Sequence, residues 1–270
     1  GKGGGAGRPA ARAGTRRPAA VRRRPASAVL KTRAAEVSTN KTAAHAAPVE
    51  KGAAPWFGVF AGSNNAEYTA YMRTEWGFEK RGEAPLFEKL CLEGQQAGLS
   101  WATVLAKRGA YRKAFMRFNV KKCAGMSDKD VEQILVETKR GPGGRDAVIC
   151  HRGKLRSIPH NARCVLALRS APYVDPRTGQ VCRTLDELLW SFVGGAPILN
   201  NWVSPKAIPT VTPVAEAMSK VLKKLGFAFV GATICYSLMQ SCGLVIDHPR
   251  GTPEHKAAAA RLARRRGRAS

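Results

Sequence analysis

Glu93 lies in the run Leu90-Cys91-Leu92-Glu93-Gly94-Gln95-Gln96-Ala97-Gly98-Leu99-Ser100-Trp101, where a carboxylate interrupts an apolar stripe shortly before a tryptophan. Read as a helix opened by Pro85, the segment puts Leu86, Leu90, Glu93 and Ala97 at 4-3-4 spacing, so Glu93 shares the face that packing claims. An unpaired carboxylate there is expensive, and packing alone favours an apolar residue. A helix rotated about its axis would leave Glu93 solvated, but the neighbours argue for a site. Trp56, Tyr68, Tyr71, Trp76 and Trp101 gather in one part of a chain that is only 7% aromatic. Ring faces attract cations, and a carboxylate adds charge and a hydrogen-bond acceptor. The chemistry this predicts is capture of a planar, electron-poor cation, and a methylated nucleobase is such a ligand.

The elements that must hold these residues read as helix after helix from about residue 55 onward. Helices are predicted over 85–97 and 101–115. Another follows the capping signal Ser127-Asp128-Lys129-Asp130, and others cover 185–193, 214–225 and 233–242, the last two stopped by Gly226 and Gly243. A Gly- and Pro-rich loop over 139–145 precedes His151-Arg152-Gly153-Lys154, and Pro159 is expected to kink the helix beyond it. Gly153 is read as a turn with a second helix opening on Lys154. Exposed amides at a helix start, flanked by Arg152 and Lys154, suit a phosphate; an ordinary basic helix start is the alternative. Strand-like alternation is almost absent, so the fold class is all-α.

Charge is uneven along the 270 residues. Residues 1–53 carry 12 Lys and Arg against 2 acids, residues 54–248 carry 26 against 16, and residues 249–270 carry 7 against 1. The middle is balanced enough to fold, and a net charge of +26 favours polyanions as partners. Residues 1–53 are read as a disordered basic leader, 54–250 as the folded domain and 251–270 as a disordered basic tail. The acid-poor leader resembles an organellar transit peptide, which would send the protein to chloroplast or mitochondrion. Arg22-Arg23-Arg24 and Arg264-Arg265-Arg266 equally suit nuclear signals or nucleic-acid arms. With no secretory core and no run of eighteen apolar residues, an intracellular protein without membrane insertion is expected. Seven cysteines, odd in number and never two residues apart, read as reduced, buried thiols rather than a disulfide framework or zinc knuckle.

Several ordered stretches match a known family: Tyr68-Thr69-Ala70-Tyr71, Glu75-Trp76-Gly77, Leu92 to Trp101, His151-Arg152-Gly153-Lys154, Trp190-Ser191-Phe192-Val193 and Phe229 to Ser237. Over residues 56–248 the chain resembles the 3-methyladenine DNA glycosylase I (Tag) family, within the helix-hairpin-helix glycosylase group. The resemblance implies a helical glycosylase fold with a helix-hairpin-helix element, and a monomer needing no cofactor. It also implies hydrolysis of the N-glycosidic bond of 3-methyladenine in alkylated double-stranded DNA, with no lyase step. Glu93 would be the catalytic pocket carboxylate, Trp101 and Tyr71 the stacking faces, and Trp56, Tyr68 and Trp76 the walls. Gly98 and Leu99 would wedge into the gap left by a flipped base, and His151, Arg152, Gly153 and Lys154 would contact DNA. Asp175 and Asp186 lie outside the matching motifs and receive no role.

Three departures from the family stand out. Bacterial members carry a zinc clamp of two Cys and two His, and the matching positions here are Ala54, Met72, His248 and Thr252. One surviving ligand cannot hold the metal, so no metal site is expected. The loop 139–145 and Pro159 are the other two. A glycosylase for another alkylated base such as 3-methylguanine, one acting on RNA, and a catalytically silent DNA-binding protein of the same fold remain the competing expectations.

Overall fold

The structure is a computed structural model, and it describes residues 65–267 together with Gly1, Trp56 and Phe57. The predicted leader therefore lies outside the described residues, apart from Gly1. The helices are α1 (Ala66–Thr74), α2 (Glu83–Gln96), α3 (Trp101–Ala106), α4 (Arg108–Ala114), α5 (Val120–Ala124), α6 (Asp128–Arg140), α7 (Arg152–Ser170), α8 (Leu185–Ser191), α9 (Pro213–Lys224), α10 (Ala232–Ser241) and α11 (Pro253–Arg266). Among the described residues, four two-residue strands form two pairs, β1 (Tyr173–Val174) antiparallel to β2 (Val181–Cys182) and β3 (Ile198–Leu199) parallel to β4 (Val245–Ile246). The helical class stands.

Packing is organised around α2. Leu86, Phe87, Leu90, Cys91 and Leu92 are all buried, because this helix touches α3, α7, α8 and α10 on different sides. A helix surrounded in this way must be apolar nearly all round, and this is why a strict one-sided stripe understates its burial. Pro85 is its third residue, where the missing N–H costs nothing. Asn65, Ser100, Ser127, Thr184, Thr212 and Thr252 each cap a helix with a side-chain oxygen, and at the predicted Ser127 N-cap the Asp130 side chain completes a reciprocal capping box.

Three local expectations change. The helix predicted over 101–115 breaks at Lys107 (φ −99°, ψ 2°) into α3 and α4. The Lys107 ammonium binds the carbonyls of Gly144 and Ala147, and this draws the 141–151 connection against the break. Gly153 forms no turn; it is the second residue of α7, and the turn lies upstream in 141–151. The helix α7 runs on through the buried Pro159 to Ser170. The basic tail beyond Gly251 is largely the helix α11. Pro253 pre-sets its first turn and a run of four alanines favours it. It is anchored by fully buried Ala258, by His255 Nε2 at 3.1 Å from the Asn200 carbonyl, by Arg261 over the Phe78 ring at 4.5 Å and by Arg265 to Glu79 at 2.9 Å. No helix among the described residues is long and apolar enough to cross a membrane.

Candidate active site

A cavity of about 260 Å³ opens between α1, α2, α3, α10 and the segment 205–210, and Glu93, Trp56, Tyr68, Tyr71, Trp76 and Trp101 all line it. All six predicted pocket residues are thus brought together. Its volume is at the small end for small-molecule sites and suits one heterocycle rather than an extended ligand. Tyr68 and Tyr71 come from successive turns of α1, and their rings lie 6.3 Å apart; Tyr71 and Trp101 lie 5.3 Å apart. Trp101 is the first residue of α3, fixed by the Ser100 cap, and its indole N–H has no hydrogen-bond partner among the described residues. A buried donor without a partner beside a cavity is an available contact for a ligand acceptor. Trp76 stacks at a tilt on Trp56, with ring centres 5.6 Å apart.

Glu93 is 3% exposed, and burial raises its pKa, opposed by the Lys89 charge and a hydrogen bond with Ser241. The Lys89 ammonium, equally buried one turn earlier on α2, lies 3.8 Å from Glu93 Oε1 and donates to the Tyr71 hydroxyl at 2.8 Å. It also stands 4.1 Å from the Trp101 ring centre and 4.5 Å from that of Tyr71. Burial lowers the Lys89 pKa to about 8, with the Glu93 charge working against that shift. Burial, reinforced by Glu93, pushes the Tyr68 hydroxyl up to about 12 and keeps Tyr71 protonated as well. The cavity therefore presents one carboxylate, three neutral phenols (Tyr68, Tyr71 and Tyr236) and three indoles.

Supports behind the lining fix its shape. Both carboxylate oxygens of Glu75, just past α1, accept from Nη1 of Arg108 in α4, at 2.9 and 2.7 Å. Gly94 lets Phe229 approach closely, since a Cβ there would sit 3.1 Å from the Phe229 Cβ. Tyr236 and Gln240 of α10 line the cavity and donate to the buried carboxylate of Asp247, which also receives Asn200 Nδ2 and Trp202 Nε1. Glu93 and the aromatic residues were found from sequence, but Lys89, Gln96, Thr233, Ser237 and the 205–210 wall were not. Lys89 had a signal, its position four residues before Glu93 on the same helix; the 205–210 wall is irregular chain with no periodic pattern.

The predicted DNA-contacting residues form a second cluster at the surface. Gly98 adopts φ +74° and Leu99 is 42% exposed, which leaves the turn between α2 and α3 projecting. His151 caps α7, Gly153 is exposed in its first turn, and Arg152 is exposed but paired with Glu132 at 2.7 Å. Lys154 differs from its expected part as a phosphate ligand. It is 6% exposed, and its ammonium is spent on the carbonyls of Gln95 at 2.9 Å and Ala97 at 2.6 Å. Gln95 returns the contact by donating to the Lys154 carbonyl at 2.9 Å, so the start of α7 is bolted to the 97–99 turn.

Of the four zinc-clamp positions, Ala54 lies outside the described residues. Met72 is buried in the core, Thr252 caps α11, and His248 is buried with ring contacts to Trp56 and Trp76.

The family described as methyladenine glycosylase matches residues 61–255. DNA-3-methyladenine glycosylase 1 of Escherichia coli (strain K12) is 44% identical over 191 residues, covering 70% of this chain and 91% of that protein. A 3-methyladenine DNA glycosylase I from Staphylococcus aureus superposes with a TM-score of 0.64 at 30% identity, covering 74% of this chain and 97% of that one. A variant of 3-methyladenine DNA glycosylase I solved in complex with 3-methyladenine superposes with a TM-score of 0.62, also at 30% identity, over 71% of this chain and 94% of that one. With its pocket residues assembled and most of its length matched, the chain belongs to the methyladenine glycosylase family.

Proposed function

We propose that the protein hydrolyses the N-glycosidic bond of 3-methyladenine in alkylated double-stranded DNA, acting as a monomer and leaving an abasic site without cutting the strand. The observation that carries this is Glu93, a buried carboxylate at an aromatic cavity sized for one base. Methylation at N3 makes the nucleobase cationic, so it is already a good leaving group. When the bond from C1′ to N9 breaks, the electron pair passes to the base, which leaves neutral. Water supplies hydroxyl to C1′, and its proton goes to solvent. The enzyme's task is to expose the nucleotide, hold the cation and admit water, and no strong general acid is required.

In this reading Glu93 accepts hydrogen bonds from the base, Trp101 and Tyr71 stack on it, and Trp56, Tyr68 and Trp76 close the walls. Leu99, projecting on the Gly98 turn, fills the gap in the duplex. Arg152 and the amides of Arg152 and Gly153 at the start of α7, which His151 caps, face the phosphates. Lys154 positions those two segments instead of touching DNA. The 44% identity to a DNA-3-methyladenine glycosylase supports the substrate assignment. The test is to incubate alkylated duplex with the protein and identify released bases by chromatography while following strand integrity. Release of 3-methyladenine with intact, alkali-labile strands is expected; no release above background would defeat the reading.

A further inference from the structure

Lys89 is the cation nearest the pocket carboxylate that the mechanism above does not use. A lysine is rarely buried without a function for its charge. Its ammonium engages Glu93, Tyr71 and Trp101 from behind, and these residues also line the cavity. A cationic base entering the cavity would seek the same carboxylate and the same two rings from the other side. Two like charges sharing one buried carboxylate repel, whereas a neutral lysine and a cationic base leave the site balanced.

We propose that Lys89 is a specificity-determining, positioning residue that holds the cation's place in the empty site and sheds one proton to solvent when a cationic base binds. The inference rests on the glycosylase reading and deepens it. The exchange conserves charge, since one positive charge enters the site as one leaves it. A neutral base gains nothing from the exchange, so the device discriminates for charge rather than shape. Once the glycosidic bond breaks and the base becomes neutral, Lys89 regains a proton, and Glu93 reverts to its lysine partner as the product departs.

The groups facing Lys89 are few, so the switch can be followed. Glu93 is on its own helix, and Tyr71 and Glu75 come from α1 and its end. Lys80 lies in the following segment, and Cys242 comes just after α10. Glu75 is committed to Arg108, and Cys242 is pushed up to about 11 by burial, so neither changes charge near neutrality. Burial holds the lysine's own pKa near 8, so the exchange falls within the working pH range.

The first test compares the pH profile of kcat/KM for 3-methyladenine release by the wild-type protein, Lys89→Met and Lys89→Arg on the same alkylated duplex. Relative to Lys89→Met, the wild type is expected to gain about tenfold for each pH unit between 6 and 7.5 and to level off above about 8. Lys89→Arg, charged throughout, should be slower than both above pH 8. Binding of undamaged duplex should respond to pH alike in all three. A second measurement needs no variant. Calorimetry with 3,9-dimethyladeninium, a permanently cationic base, in buffers of different ionisation heat should show close to one proton released at pH 7 and none at pH 9.5. Release by all three proteins with superimposable profiles, or binding of the cation at pH 7 without proton release, would overturn the role of Lys89 alone. Absence of release by every protein would instead overturn the glycosylase reading on which it rests.

Discussion

Lys154 donates to the backbone carbonyl of Ala97 at 2.6 Å, joining the first turn of α7 to the end of α2 across 57 residues of sequence. A lysine in a basic stretch at a helix start is easily taken for a phosphate ligand, yet this one is spent on two carbonyls in a largely buried setting. Replacing it with methionine should lower Tm by several degrees, since removing a charged donor from buried acceptors costs about 1 to 3 kcal/mol. The slope of DNA affinity against salt should stay as it was, because no phosphate contact is lost. A slope smaller by about one with an unchanged Tm would show that Lys154 contacts DNA after all.

Glu93→Gln keeps the shape of the pocket and removes its anion. Hydrogen bonds to a charged group contribute about 1.5 to 3 kcal/mol, so release of 3-methyladenine should fall roughly 10- to 100-fold. Binding of undamaged duplex should change little, because Glu93 is buried away from any backbone contact. If activity and binding fell together, Glu93 would be holding the fold rather than the base.

Leu99 gives a different separation. It is 42% exposed, so Leu99→Ala carries almost no folding cost. If Leu99 fills the space left by the flipped nucleotide, truncation should slow release from duplex by about fivefold, equivalent to about 1 kcal/mol of lost apolar contact. Release from alkylated single strands should be unaffected. Equal losses on both substrates would remove the wedge assignment.

Much of this arrangement was legible in the residues and some was not, for physical reasons. Periodicity located α2, α6, α9 and α10, and the Ser127 and Thr212 caps fix where two of them begin. Glu93 and the aromatic residues stood out because a charge on a packing face and a local excess of rings are both improbable without a ligand. Lys89 escaped because lysine four residues before glutamate is the ordinary spacing of a solvated surface pair; only the tertiary fold shows that both are buried. The part played by Lys154 was invisible because its partners are remote in sequence. The helix α11 was hidden by its composition, since it needs to bury little beyond Ala258 and His255 and otherwise reads as a charged tail. The 205–210 wall belongs to irregular chain, where no period exists to be read.

The α11 anchor can be tested by ending the chain at Gly251. Loss of the Thr252 cap, the Ala258 contact, the His255 hydrogen bond and the Arg265–Glu79 pair should together lower Tm by at least about 4 °C. A truncated protein melting with the full-length chain would mean that α11 lies on the surface without holding it.

Alkaline stability follows from the buried thiols. Burial raises Cys123 and Cys242 to about 11 and Cys235 to about 12, from an ordinary value near 9, and raises Cys91 as well. In the unfolded chain these groups ionise near pH 9, while in the fold they stay protonated. Their contribution is complete below pH 9 and is lost as pH rises toward the folded values. Lys89 works the other way, adding stability between about 8 and its ordinary 10.5, but one lysine is outnumbered. The urea midpoint under reducing conditions should therefore fall steadily from pH 9 to 11; a flat or rising midpoint would contradict the burial of the thiols.

Asp247 touches no ligand in this scheme, yet Tyr236 and Gln240, which both face the cavity, converge on its carboxylate from the front, while Asn200 and Trp202 reach it from outside the cavity lining. For anyone seeking inhibitors, this means that the far wall of the pocket will not yield by a simple change of side-chain rotamer. A compound larger than a single base would have to break an anchored anionic hub to make room, so potency should come from charge and stacking within the existing outline and not from added bulk.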